Sequence, residues 1–358
     1  MSFTASSIST GAQCPKLYKY KYVQGYREEI TGPIRIGILF HKGVEEYWLG
    51  NDLATAISSM EAMSKEDDWW ESDNGKVAYA RCCAYVKGYY AKYHGQDTTR
   101  DTAHNGHPTT MFIEKEFEFR LNGVNYRGKM DVLILDRKLN EITIIEHKTT
   151  STDISIGGSY LRKLPIDIQL TIYRQAAIDL LKKRVTWDEQ SGGVLIRKNP
   201  NDFVMPTIVY DVVQTTKASP RQKTKKEGGH PVKKRKDETQ EEVEKRKEEN
   251  LETLTEFTER IAKEYKEEPE KYVRHEVMCT KDEHTIRLIE LEEYVKLLQN
   301  KGFLEIRNST ACGNYGGCAF LDVCTRTSRL DDFSKIEKVE DLHQELEGKK
   351  PRWVSYNC

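Results

Sequence analysis

The spacing of apolar residues changes period several times along the chain, and each change marks an element. Ile34, Ile38, Leu39 and Val44 recur with helical spacing behind Gly32-Pro33, which predicts a helix from Ile34 to Trp48 that carries His41. A second, aromatic-rich helix is expected from about Val77 to Tyr93, ending near Gly95 before a polar loop from Thr99 to Pro108. The period then shortens to two. Phe112 to Leu121 alternates apolar and charged residues, Asn122-Gly123 is a hairpin signal, and Val124 to Met130 runs back as a strand continued by Asp131 to Asp136. After a turn at Lys138 to Asn140, Ile142 to Lys148 completes an antiparallel meander.

Helical spacing returns from Ile166 to Lys183, with Ile168, Ile172, Ala176 and Leu180 on one side and Gln169 with Tyr173 on an adjoining one. Gly192 to Lys198 and Thr207 to Val213 read as two further strands. This order predicts an α/β fold, a sheet with helices packed on it. Lys217 to Lys236 holds nine basic residues and one acidic residue among Ser, Pro and Gly, and a dense Glu/Lys helix follows from Asp237 to Glu270. A mobile solvated linker and an exposed helix are preferred here over a DNA-tracking element. No internal repeat is found, and the polar segment from Thr325 to Cys358 carries no readable function.

With 358 residues and 37% hydrophobic content, the chain can build one large domain or two modest ones. Its 56 basic and 57 acidic residues leave a net charge of -1, so global charge names no partner and any nucleic-acid footprint must be local. No apolar run approaches the roughly 20 residues of a membrane span. Met1 to Gly11 lacks the basic leader and apolar core of a secretory signal. The expectation is a cytoplasmic protein (nucleoid or host cytoplasm included) with no membrane partner. In that compartment the eight cysteines are metal ligands or buried thiols rather than disulfides.

Asp131 and Glu146 stand where two adjoining strands place both carboxylates at one end of a hairpin. Alternation puts Glu146 and Lys148 on one face and turns His147 away. Two carboxylates suit Mg2+ or Mn2+, and a lysine beside them suits attack on a phosphodiester. Taken alone, Glu146-His147-Lys148 is more often a surface ion pair, His41 a partly buried histidine, and Gln169 with Tyr173 an ordinary helix face.

Together these pieces resemble the RecB-like branch of the PD-(D/E)XK nucleases. In that branch a helical histidine precedes G-x-x-D and E-x-K, and the next helix carries Q-x-x-x-Y; here they are His41, Gly128 to Asp131, Glu146 to Lys148, and Gln169 to Tyr173. Met130 stands where the family name has proline, as is common in this branch. The resemblance implies a restriction-endonuclease-like core, a mixed central sheet flanked by helices. It also implies a divalent ion held by His41, Asp131, Glu146 and the backbone carbonyl of His147, with Lys148 as catalytic lysine. Gln169 and Tyr173 then line the site and position the DNA strand.

Cys312, Cys318 and Cys324 form a C-x5-C-x5-C run around the loop Tyr315-Gly316-Gly317, and Cys14 lies far upstream beside Pro15. One cysteine before the core and three after it resembles the iron-sulphur members of the same branch, AddB-like and CRISPR-associated nucleases. Four thiolates hold either a 4Fe-4S cluster or zinc, and the absence of a close C-x2-C pair favours the cluster. Its expected role is a staple that joins the N- and C-terminal segments. Cys82, Cys83, Cys279 and Cys358 are left as plain thiols.

The expected organisation is an N-terminal segment with the first cluster ligand (1–33), the nuclease core (34–215), a basic linker and charged helices (216–300), the cysteine region (301–325) and a polar tail (326–358). The function implied is a metal-dependent deoxyribonuclease, an exonuclease on single-stranded DNA or DNA ends, in recombination, repair or phage DNA processing. No G-x-x-x-x-G-K-[ST] is present, so unwinding would need a separate helicase or recombination protein. Two other readings stay open: a non-cleaving nucleic-acid-binding subunit of the same fold, and a zinc-stapled scaffold.

Overall fold

The computed structural model describes residues 2–95, 97, 109–136, 141–182, 205–229, 238–313, 317–330, 336–339 and 352–356. Its strands are β1 (Ser2–Phe3), β2 (Tyr26–Glu28), β3 (Thr109–Leu121), β4 (Val124–Asp136), β5 (Glu141–Thr150), β6 (Thr207–Gln214), β7 (Tyr272–Val277), β8 (Ile336–Lys338) and β9 (Arg352–Tyr356). The expected meander is present as β3, β4 and β5. Asn122 and Gly123 both take positive φ, 48° and 83°, the conformation a two-residue hairpin of this twist needs. β6 then joins β5 in parallel and β7 joins β6 antiparallel, giving a mixed sheet of order β7-β6-β5-β4-β3-β9. β1 adds in parallel to β4.

Each face of the sheet is covered. On one lie α1 (Ala5–Gln13), the Ile168–Lys182 helix and the Lys281–Gln299 helix, closing over Ile144, Leu170, Ile172, Tyr210 and Leu291. On the other, α3 (Gly32–Trp48) follows the short α2 (Pro15–Tyr18); with α4 (Leu53–Ser64), α5 (Asp73–Tyr93) and the Leu254–Glu267 helix it buries Trp48, Tyr89, Ile145 and Phe257. This is the expected mixed sheet flanked by helices, with segments from 1–33, 216–300 and 326–358 contributing β1, β7 and β9 to it.

Several elements differ from expectation. Leu39 and Val44 are buried as predicted, but Ile34 and Ile38 on the first turns of α3 are 51% and 47% exposed. The single helix expected from Asp237 to Glu270 is two helices, Gln240–Glu249 and Leu254–Glu267, because Thr253 starts a new capping box with Glu256. Nor is the second helix simply exposed: Phe257, Ile261 and Tyr265, four apart, form a buried stripe that the surrounding charges conceal. The strand Gly192 to Lys198, the loop Thr99 to Pro108, the turn Lys138 to Asn140 and the end of the basic stretch lie outside the described residues.

The chain's two ends meet beside the sheet. β2 pairs with β8, the Lys16 amide donates to the Ile306 carbonyl at 3.0 Å, and Asn308 Nδ2 donates to the Gln13 carbonyl at 2.8 Å. Tyr20 stacks on Phe320, and Lys16 and Lys19 both pair with Glu305. A small core of Tyr20, Phe320 and Ile336 seals the junction, with Cys318 and Cys324 packed against it.

Candidate active site

β4 and β5 run paired from Asp136↔Glu141 to Val132↔Ile145 and then part. The next residues, Asp131 and Glu146, are the first that the β4–β5 ladder does not hold. Asp131 Oδ2 accepts from the freed His147 amide at 2.8 Å, so a carboxylate replaces the missing backbone partner. Past this point β5 keeps its parallel pairing with β6, which holds Glu146 and Lys148 straight.

The third strand explains why the acids sit where they do. β3 and β4 stay in one register through Ile113↔Val132 and Lys115↔Met130, which sets Glu114 opposite Asp131. At that step both strands change phase: Phe112 and Leu133 face the same core as Phe117, Phe119 and Met130, although simple alternation would place them apart. The backbone of Glu114 takes up the change with φ 54°, a left-handed conformation uncommon for a residue with a side chain. A shared kink therefore turns Glu114 and Asp131 out of the regular pleat.

The predicted residues converge on it. Lys148 Nζ donates to Glu146 Oε1 at 2.7 Å and to Gln169 Oε1 at 3.0 Å. Gln169 Nε2 donates to the same Glu146 oxygen at 2.7 Å and to Tyr173 Oη at 2.8 Å, and the Tyr173 hydroxyl donates to the Lys129 carbonyl at 2.6 Å. The Ile168–Lys182 helix thus ties β5 to β4 across the gap. Gly128 has a packing reason: a Cβ there would come within 2.5 Å of the Phe117 ring, which meets Tyr173 edge-on at 5.5 Å. From the other side α3 delivers His41, with Nδ1 3.5 Å from Asp131 Oδ1. The His147 ring turns to that side as alternation requires, edge-on to His41 at 5.9 Å.

Charge is concentrated here in little solvent. Burial and the neighbouring Asp131 push the Glu146 carboxyl up to about 7, against the pull of Lys148. Burial would raise Asp131 too, but His41 first, then His147 and Lys148, hold it well below the ordinary carboxylate range. His41 and Lys148 are both raised, because the carboxylates outweigh the burial that opposes their charged forms. Glu146 Oε2 is buried and has no hydrogen-bond partner among the described residues. An acceptor left so costs on the order of 1–3 kcal/mol unless a cation or water meets it. Donor atoms of His41, Glu114 and Asp131 lie within 4.8 Å of one another. One imidazole nitrogen and several carboxylate oxygens form a donor set that suits Mg2+ or Mn2+. A cleft of about 330 Å³ opens beside them, lined by His41, Glu114, Lys129 and Asp131 with Ile38 and Met63.

Sequence patterns missed two parts of this arrangement. Glu114 looked like one of the outward charges of β3; the signal was the run Met111-Phe112-Ile113 followed by Phe117 and Phe119, a phase break that only a kink reconciles. The other lies behind His147, whose Nδ1 is 3.4 Å from Asp211 Oδ2. Tyr89 Oη donates to that oxygen at 2.5 Å, and Arg274 bridges Asp211 at 3.3 Å and Asp97 at 2.5 Å. Burial would raise Asp211, but Arg274 and His147 bring it down to about 2. Four separate segments meet here with no local motif to announce them.

At the junction of the chain ends, Cys14 caps α2, the Cys318 amide donates to the Cys312 carbonyl at 2.9 Å, and Cys324 lies 3.9 Å from the Tyr20 hydroxyl. Burial raises the Cys318 thiol, and Cys312, Cys324 and Cys14 each add to the rise, so the four predicted thiols share one neighbourhood. Cys82 and Cys83 are buried in α5 as expected.

Residues 2–325 match the model of the PD-(D/E)XK nuclease superfamily. A crystal structure of a protein described as a "putative exonuclease" from Eubacterium rectale is similar over 97% of this chain and 94% of that one, with a TM-score of 0.42 and 11% identity. No curated protein matches the chain. No helix among the described residues is long and apolar enough to cross a membrane.

Proposed function

Because the chain belongs to the PD-(D/E)XK nuclease superfamily, we propose that it is a metal-dependent deoxyribonuclease, an exonuclease acting on single-stranded DNA or DNA ends. The observation that carries the reading is the meeting of Asp131, Glu146 and Lys148 where β4 and β5 part, with Glu146 Oε2 buried and without a hydrogen-bond partner among the described residues. Asp131, Glu146, His41 and the carbonyl of His147 would hold the divalent ion. When bound, that ion supplies Lewis acidity toward the phosphodiester and makes hydroxide available near neutral pH.

The protein's own groups do the rest. Lys148 stays an ammonium, since two carboxylates outweigh its burial, and it acts by holding the attacking oxygen and the phosphate rather than by taking a proton. Gln169 restrains both Lys148 and Glu146 and passes the restraint through Tyr173 to β4, so the lysine cannot swing away when substrate arrives.

We assign Cys14, Cys312, Cys318 and Cys324 to a 4Fe-4S cluster that clamps the two ends of the chain. Support comes from their shared neighbourhood and from the contacts that already bring the ends together there. Iron and sulphide content with visible absorption tests this, and zinc in a colourless protein would overturn it.

The decisive test of activity uses end-labelled single strands, end-labelled duplex and a circular single strand, with Mg2+ or Mn2+ and with Lys148→Ala as control. Degradation of the end-bearing strands by wild type alone is expected. Binding without cleavage in both metals would replace the enzyme by a non-cleaving DNA-binding subunit, and cleavage of the circle would remove the exonuclease assignment.

A further inference from the structure

We propose that Glu114 is a metal-binding residue of this centre, and that Lys129 is the counter-ion that holds Glu114 until a divalent ion displaces it. The inference rests on the reading of a cation site at Asp131. Glu114 and Asp131 face each other across β3 and β4, and like charges directly opposite on paired strands are destabilising. The chain nevertheless places both there, and it bends the Glu114 backbone into φ 54° to do so. Strain of this kind persists where the surrounding structure enforces it and clusters at functional sites.

Three observations indicate what the arrangement is for. The Glu114, His41 and Asp131 donor atoms are close enough to share one ion, and all three residues line the cleft through which substrate would reach it. Lys129, two residues before Asp131, pairs with the Glu114 carboxylate and lines the same cleft. Its ammonium is monovalent and mobile on a long stem, so a divalent ion competes well for the same carboxylate. Once released, Lys129 stands on the cleft wall beside the ion, free to meet a phosphate oxygen.

The two members of the pair should therefore act on metal binding with opposite sign. The test is calorimetric titration of Mn2+ into the full chain with its cysteine centre intact, comparing wild type, Glu114→Gln, Lys129→Met and Asp131→Asn. Expected are loss of binding in Asp131→Asn and about 10-fold or greater weakening in Glu114→Gln. Lys129→Met should bind as tightly as wild type or tighter. Thermal unfolding in EDTA separates this from a structural role, since Glu114→Gln should then unfold no earlier than wild type, one of two opposed charges being gone. Wild-type affinity in Glu114→Gln while Asp131→Asn stays silent would overturn this proposal alone, as would early unfolding in EDTA. A wild type that takes up no Mn2+ would overturn the cation site as well.

Discussion

Lys148 is the residue whose removal should separate chemistry from everything else. Its ammonium contacts Glu146 and Gln169 and holds no strand in place, so Lys148→Ala should lower cleavage by roughly 10²-fold or more while DNA binding and Mn2+ affinity stay near wild type. Robust cleavage by this variant in a single-turnover assay would remove the lysine from the mechanism. Glu146 gives the site its pH dependence. Its carboxyl is raised from 4.5 to about 7 in the metal-free protein, so the folded chain holds an extra proton in that interval and this group's contribution to stability is lost as pH rises through about 7. A bound ion needs the carboxylate, so the sign reverses with metal: Mn2+ should raise the melting temperature more at pH 8 than at pH 6. An equal rise at both, by scanning fluorimetry, would show that no such proton is displaced. At this scale the sequence was largely legible. His41, Asp131, Glu146, Lys148, Gln169 and Tyr173 were named from spacing and resemblance and are neighbours in space. Glu114 was not, because its role depends on a kink in two strands at once, and a one-dimensional period cannot distinguish an outward charge from one turned into a cleft.

Among elements, the meander, α3, α5 and the Ile168–Lys182 helix were legible because each shows its period over most of its length, although the meander breaks phase at Glu114 and the first turns of α3 expose Ile34 and Ile38. The Leu254–Glu267 helix was misread for the opposite reason: three buried residues are diluted by charges, and the capping Thr253 sits inside a longer charged run. β7 was missed altogether. Its Tyr272-Val273-Arg274-His275-Glu276-Val277 reads as polar, since Arg274 points into the structure to meet Asp211 and Asp97. That arginine makes the packing behind β5 costly to disturb. Arg274→Ala would remove the guanidinium that bridges two buried carboxylates and should destabilise the fold by about 3–5 kcal/mol, measured by urea unfolding. A loss below about 1 kcal/mol, the scale of an exposed ion pair, would mean that solvent reaches the network.

At the scale of the molecule, residues far apart in sequence are brought to two places, the ends at the cysteines and the strands at the acids. On the cluster assignment proposed above, Cys312→Ser should bleach the protein and lower its melting temperature, because among the described residues the junction it serves is packed on the small core of Tyr20, Phe320 and Ile336 and its neighbours. A colourless but equally stable variant would mean that the ends hold without the cluster. β9 makes a separate demand. It covers the outer edge of β3 from Thr109 to Ile113, so a chain stopped at Val339 should expose that edge and self-associate, seen by light scattering.

β4 is shared along its other edge, with β1 taking Asn125 and Tyr126 and β5 taking Val132 to Asp136. Between the two, no strand among the described residues is paired to that edge, and the acids stand at the upper lip of this seam. An ion gripping Asp131 and Glu146 would act as a rivet at its lip, where the His147 amide on the Asp131 carboxylate already joins β4 to β5. Deuterium uptake from about 127 to 131 and from 146 to 148 should then slow on adding Mn2+ before any substrate is present, so that the metal tightens the scaffold as well as the chemistry.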